Sequence, residues 1–280
     1  MPILTNLASG ASLLPPRLLE PLAHERLPSE LQPLVVALND YVDRLNRHMS
    51  SHSRFIADAS HQLRTPLTLL NTQVVYALRD KDTQVREEAL VAMHLGVQHG
   101  IRLVNQLLAF SRAEAGLGHP EQQSPVDLAE VVQRALEALA TLAQQRQIDL
   151  GFAPPQDRMQ ILISPPMAYE LVANLVDNAL RYTPTGGVVT AHISRQGSKQ
   201  DEVNVPSATV LCIEDNGPGI AMAEREKVFE RFYRLNESQS DGCGLGLPIA
   251  REIAKSCGAT ISLLTPPSGQ GLMVQVLFPD

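Results

Sequence analysis

An apolar repeat leaves the first half of this chain few ways to fold. Leu38, Val42, Leu45, Met49, Ile56, Ala59, Leu63 and Leu70 recur at intervals of three, four and seven residues. That is the seam by which a helix packs against partner helices in a bundle. At about 100° per residue, His61 lies roughly 170° from the part of the seam formed by Ile56, Ala59 and Leu63. Asp58 and Thr65, three and four residues away, share its outer face. Pro66 follows inside the repeat; it has no N–H, frees the carbonyl of Gln62 and predicts a bend beside the histidine. An imidazole facing solvent on a rigid helix, flanked by an acid and a hydroxyl, can attack a group delivered to it. Alone, a surface histidine is more often just a solvated side chain. The second half of the chain changes that balance.

The 280 residues suffice for two domains with at least one sizeable core. With 44% hydrophobic and 19% charged residues the chain reads as globular. A net charge of −7 argues against nucleic acid as a partner, which calls for a basic field. The three cysteines, Cys212, Cys243 and Cys257, form no CxxC pair and stand near no histidine at ligand spacing, so a reduced compartment without a zinc site is expected. No stretch reaches the ~18–20 apolar residues of a membrane span, and the first residues lack the basic start of a signal peptide.

Residues 1–33 are punctuated by prolines. Helices are predicted over Leu34–Leu78 and Val85–Ala115, joined by a polar turn at Asp80–Thr83. The second helix carries Leu90, Met93, Val97, Ile101, Val104 and Leu108 as its apolar stripe. Two such helices make a hairpin, and two chains would complete a four-helix bundle. Residues 116–126 have the composition of a linker. Beyond them the pattern turns mixed. Helices are predicted over Leu128–Gln144, with Asp127 as its cap, and over Pro166–Tyr182, Glu224–Arg231 and Leu245–Cys257. Strands are predicted at Ile148–Phe152, Met159–Ile163, Val188–Ser194, Thr209–Glu214, Thr260–Leu264 and Leu272–Phe278. The expected class is α+β: one sheet with helices on a single face.

Four segments of this second half share one chemistry. In Glu170–Tyr182, Glu170, Asn174 and Asn178 form a polar row opposite an apolar side. Amide oxygens suit Mg²⁺ bound to phosphates, while Arg181 can meet a phosphate and Tyr182 can stack on a base. Asp215 leaves a strand into Gly217, Gly219 and Ile220, where a carboxylate can accept from an exocyclic amine. Phe229, Phe232, Arg231 and Arg234 follow on an amphipathic turn. Gly242, Gly244, Leu245, Gly246 and Leu247 open a helix, whose bare N–H groups make an anion cradle. That cluster fits neither a dinucleotide fingerprint nor a Walker loop.

In this order the segments resemble the cytoplasmic core of a sensor histidine kinase of a two-component system, over about residues 35–280. Phe55–Leu67 matches the histidine box, Glu170–Tyr182 the asparagine box, Asp215–Gly219 and Gly242–Leu247 the two glycine boxes, and Phe229–Phe232 the phenylalanine box. The wording around His61 looks most like the tricarboxylate-transport sensors. The resemblance implies a dimerisation and phosphotransfer hairpin over 34–115 and an ATP-binding domain over 127–280, of the type shared with gyrase. Residues 1–33 would be the remnant of a membrane-proximal relay, and the parent protein would be anchored in a bacterial inner membrane with this part on the cytoplasmic side. His61 would be the phospho-acceptor and Asn178, with Asn174, the Mg²⁺ ligand. Asp215 would read adenine, and Arg181 and Arg234 would meet phosphates. Phe229 and Phe232 would anchor a lid over ATP. The partners implied are a second copy of the chain and the receiver domain of a response regulator.

Many relatives carry an acid directly after the phospho-acceptor; Gln62 stands there instead and takes up no proton at neutral pH. A neutral imidazole that already offers a lone pair is the favoured account, with Asp58 as substitute base, or slow chemistry, as alternatives. Thr65 matches the position at which the family orients water to dephosphorylate its partner. Two rival readings remain: an ATPase driving a clamp, with Glu170 as its acid, and a catalytically weak scaffold.

Overall fold

The computed structural model describes residues 32–79, 82–116, 123–196, 207–235 and 243–279. The readings made for residues 1–31, for most of the linker and for Gly242 therefore lie outside the described residues. The chain divides into two compact units between Thr65 and Pro66.

The first unit is described from Gln32 onward, by the leading part of α1 (Gln32–Arg79). Val35 and Phe55 are buried, Val42, Leu45, Ala59 and Leu63 half-buried, and Leu38, Met49 and Ile56 exposed. The apolar seam is thus left largely open in a single chain. His61, Asp58, Gln62 and Thr65 are all exposed. The Thr65 hydroxyl donates to the His61 carbonyl (3.4 Å), a back-bond within the helix.

The second unit begins at Pro66, which is buried inside α1, and continues through α2 (Thr83–Gly116). Gly96 admits α1 closely, since an added Cβ would lie 3.0 Å from Cδ2 of Leu70. The expected stripe of α2 is not the face that is buried. Leu90, Val97, Ile101, Val104 and Leu108 are exposed, whereas Leu103, Phe110 and Ala113 are buried on a different face, where α2 packs on α5 (Gly246–Ser256). The helix is apolar on two sides, and periodicity alone could not say which one its own chain would cover.

Beyond α2 come β1 (Ser124–Asp127), α3 (Leu128–Gln145), β2 (Asp149–Ala153), β3 (Gln160–Ile163), α4 (Pro165–Tyr182), β4 (Val188–Gln196) and β5 (Ala208–Asp215). After α5 the chain ends in β6 (Thr260–Leu264) and β7 (Leu272–Pro279). Five strands form one sheet in the order β2-β4-β5-β7-β6, with β2 parallel to β4 and the other pairs antiparallel. Register aligns a buried row across it: Ala191 opposite Ile213, Ile213 opposite Val274, and Val274 opposite Leu263. Alternation along β4 and β7 turns Val189, Ala191 and Ile193, and Leu272, Val274, Val276 and Phe278, into the core. Helices α3, α4 and α5 pack side by side and supply the other half of that core through Leu128, Leu171, Leu175, Ile249 and Ile253. Asp127 caps α3 by accepting from Ala129 N (3.0 Å).

Two expectations are corrected. The strand expected at Met159–Ile163 does not join the main sheet; β3 pairs instead with β1, a strand that begins inside the stretch read as linker and ends on Asp127. The helix expected over Glu224–Arg231 is replaced by two single 3₁₀ turns, Met222–Glu224 and Lys227–Phe229. The Arg225 guanidinium holds this segment to the sheet edge, donating to Leu263 O (2.8 Å), Thr265 Oγ1 (2.7 Å) and Ile220 O (3.2 Å). With that side chain tied down, the backbone closes i→i−3 bonds and no regular helix propagates.

The β5–β7 connection depends on one glycine. Gly271 has φ +97°, and a Cβ there would fall 1.8 Å from the Asp215 carbonyl oxygen. Gly269, at φ +80°, has nothing within 4 Å. Gly271→Ala is therefore expected to cost at least ~3 kcal/mol and Gly269→Ala about 1 kcal/mol, compared by chemical denaturation. Equal costs would mean that the crossing at Gly271 does not set the fold.

Candidate functional site

A cavity opens where the end of β5, one face of α4 and the start of α5 meet. Helix α4 begins with Ser164 as its cap residue and proline in its first turn. Its apolar side, Leu171, Val172, Leu175, Val176 and Leu180, is buried, which turns Asn174 and Asn178 toward α5. Nδ2 of Asn174 donates to the Glu170 carbonyl (2.7 Å), which fixes the amide with Oδ1 on the other side. A Cβ on Gly246 would lie 3.8 Å from Asn174 Oδ1 and 4.0 Å from Asn178 Oδ1. Two hard oxygens therefore converge on the first residue of α5.

That helix start is open. Its cap residue, Leu245, provides no side-chain hydrogen bond, and among the described residues the N–H groups of Gly246 and Leu247 have no acceptor, as an anion requires; Pro248, next in the turn, has no N–H. Gly244 brings the cradle into place. At φ +68° its carbonyl accepts from Phe232 N (2.9 Å), and a Cβ would meet the Phe232 backbone at 2.8 Å.

Asp215 lines the same cavity from the end of β5. The buried carboxyl accepts from Gly217 N (2.8 Å) and Leu272 N (3.3 Å), both on Oδ1. Among the described residues Oδ2 accepts nothing, and Asp215 lines the cavity. Burial raises its pKa from the ordinary carboxylate value, opposed by those two N–H groups.

Of the residues expected from sequence, the cavity brings together Asn174, Asn178, Arg181, Tyr182, Asp215, Gly219, Ile220, Arg234, Gly244, Gly246 and Leu247. Arg181 arrives already paired: Asp177 takes its guanidinium by two bonds of 2.6 and 2.8 Å, and its side chain is only 7% exposed. Its Nε and Nη2 are thus engaged within α4 while the residue still lines the cavity. Five expected residues do not line the cavity. Glu170 is half-buried, its carboxyl pushed up by burial and pulled back by Arg112. Gly217 shapes the turn through its N–H on Asp215. Leu245 is fully buried core. Phe229 is buried beneath the Arg251 guanidinium, 4.8 Å from its ring centre, and its carbonyl accepts from the same group (3.0 Å). Phe232, at φ +63°, meets Gly244 through its backbone. His61, Asp58, Gln62 and Thr65 belong to the first unit.

Asp177, Tyr233, Leu272 and Gln106, none of them expected as site residues from the sequence, also line the cavity. Asp177 was findable, since it stands four residues before Arg181 on one helix face. Nothing in the sequence pointed to Gln106, which comes from α2.

Known proteins match most of the chain. A family model described as His Kinase A (phospho-acceptor) domain matches residues 51–116. Another, described as Histidine kinase-, DNA gyrase B-, and HSP90-like ATPase, matches residues 164–280. The chain is similar to Sensor protein kinase PmrB of Pseudomonas aeruginosa, 35% identical over 264 residues, covering 94% of this chain and 53% of that protein. It is also similar to Sensor protein QseC of Escherichia coli, 34% identical over 259 residues, covering 92% and 55%. It therefore spans about half the length of the curated relatives it matches. Among solved structures, the Acinetobacter baumannii histidine kinase AdeS shares the fold, with TM-score 0.54 and 22% identity over 78% of this chain and 97% of that one.

Asp215→Asn keeps the Oδ1 acceptor and removes a buried charge. Because the folded pKa is raised, the folded state binds more protons there than the unfolded chain, so the charge costs stability at neutral pH and this cost fades as pH falls. The variant is expected to melt no lower than the wild type yet to bind ATP at least ~10-fold more weakly, since an amide NH₂ replaces the free acceptor. Titration with a fluorescent nucleotide checks this; unchanged affinity would remove Asp215 from the site.

Proposed function

We propose, from the premise that this chain belongs to the sensor histidine kinases of two-component systems, that it transfers the γ-phosphoryl group of ATP to His61 and then to an aspartate of a response-regulator receiver domain. The observation that carries the reading is that the start of α5, uncapped among the described residues, faces two asparagine oxygens in a cavity that Asp215, whose Oδ2 accepts nothing among those residues, also lines. A purine amine would donate to Oδ2, and the polyphosphate would lie on the N–H groups opened by Gly244 and Gly246. Arg234, in the cavity wall, would offset its charge.

The donor set also suits a magnesium ion. Asn178 and Asn174 present neutral oxygens, and among the described residues no cluster of three or more His, Cys, Asp or Glu could hold a metal by itself. Such a set fits an ion that phosphates and waters mostly ligate, and the ion would supply neutralisation of charge on the leaving oxygens. His61, exposed on α1, would attack the γ-phosphorus in line. The N–P bond forms as the bond to the β-phosphate oxygen breaks, releasing ADP. Gln62 can orient the ring by hydrogen bonding, and a neutral imidazole needs no base to expose its lone pair. Asp58 shares that exposed face. The Thr65 hydroxyl retains lone pairs to orient a water, which supports a secondary phosphatase role.

Exposed Leu38, Met49 and Ile56 on α1, with Leu90, Val97 and Ile101 on α2, support a homodimer that buries them in a four-helix bundle. No helix among the described residues is long and apolar enough to cross a membrane. The reading assigns this region to the cytoplasmic side of a longer sensor, where ATP is available. The rival ATPase reading needs an acid at the cavity, and Glu170 does not line it.

Incubation with γ-labelled ATP and magnesium is expected to leave label on the protein that is lost in acid and stable in alkali. His61→Gln should abolish it, and label persisting in that variant would overturn the assignment. Asn178→Ala should lower labelling about 100-fold or more, at or beyond the upper end of what losing a group that only supports a metal ligand costs.

A further inference from the structure

Gln106 lies on α2, outside the ATP-binding fold, yet it is part of the cavity wall alongside Asn174, Asn178 and Arg181. Its Oε1 is buried with no hydrogen-bond partner among the described residues. A buried side-chain carbonyl in that state costs on the order of the hydrogen bond it lacks, and a ligand that supplies the missing group recovers it. The position is not accidental exposure of one side chain. Leu103 and Phe110, three residues before and four after, are fully buried where α2 packs on α5. The Arg231 guanidinium lies 4.4 Å from the centre of the Phe110 ring, fastening the same face one turn further along. One turn before Gln106, Arg102 is close enough to act electrostatically on the Cys243 thiol, together with Arg181 and Arg234. Gln106 therefore lies one turn from a side chain that shares the surroundings of Cys243 with Arg181 and Arg234, where α2 packs on α5.

We propose that Gln106 is a nucleotide-binding residue contributed by the phosphotransfer hairpin, whose side-chain amide contacts the hydrated polyphosphate end of bound ATP. An amide serves either need there: Oε1 accepts from a water of the phosphate and cation shell, and a half-turn presents Nε2 to a phosphate oxygen. Adenine and ribose alone do not reach it. The hairpin thereby reads whether a polyphosphate occupies the site, and the packing of α2 on α5 becomes part of ATP affinity. The inference rests on the proposed ATP site and adds a residue to it from outside the ATP-binding domain.

The test uses the full chain and compares the affinities of magnesium-ATP and adenosine by isothermal titration or nucleotide fluorescence. Gln106→Ala is expected to weaken ATP about 5–10-fold, the scale of one hydrogen bond, and to leave adenosine within about twofold. Gln106→Glu, which brings a like charge to the phosphates, should weaken ATP further at an unchanged melting temperature. Phe110→Ala, which loosens the docking, should weaken ATP too, and its effect should not add to that of Gln106→Ala. Wild-type ATP affinity in both Gln106 variants would overturn the inference while leaving the ATP site standing. An equal loss for ATP and adenosine would overturn the polyphosphate contact. A wild-type chain that binds neither ligand would overturn the ATP site itself and this inference with it.

Discussion

Oδ1 of Asp215 is held between the N–H groups of Gly217 and Leu272, and much of the second unit depends on this clasp. It joins the end of the central strand β5, the glycine turn that follows it and the start of β7 at one carboxylate. The clasp forms only because Gly271 can cross against the Asp215 carbonyl, where no other residue fits. Burying the carboxylate raises its pKa, and two N–H donors compensate only in part. Such a charge is retained at the expense of stability, and groups perturbed in this way cluster at functional sites.

The cavity then follows from register and helix phase. Once β5 ends at Asp215, α4 lies over the sheet with its leucines down, and its asparagines face the start of α5. The missing cap on α5 is consistent with that placement. A serine or aspartate at the cap would satisfy the N–H groups and compete with an incoming phosphate. The Asp177–Arg181 pair adds a charge-balanced wall, so the net positive contribution at that end falls to other groups.

Helix α2 shows how one element can serve two surfaces. Its Leu90, Val97, Ile101, Val104 and Leu108 remain exposed, while Leu103, Phe110 and Ala113 disappear against α5. Both stripes satisfy a helical period, so hydrophobic pattern alone ranks neither above the other. The same ambiguity hid Gln106, a polar residue between two buried apolar ones whose meaning depends wholly on what α2 packs against.

Local chemistry was legible from the residues themselves. The helical seam opposite His61, the asparagines four apart, the strand running into Asp215 and the glycines opening α5 each rest on a short-range rule of period, turn or helix end. What those rules could not reach involved distant partners. The diversion of β3 to β1 was settled by pairing between segments more than thirty residues apart. The collapse of the 224–231 helix into 3₁₀ turns was settled by Arg225 reaching β6, and the burial of Phe229 by Arg251. Spacing along a chain specifies which side chains share a face. Only the packed structure decides which face is covered, because burial energy depends on what lies opposite.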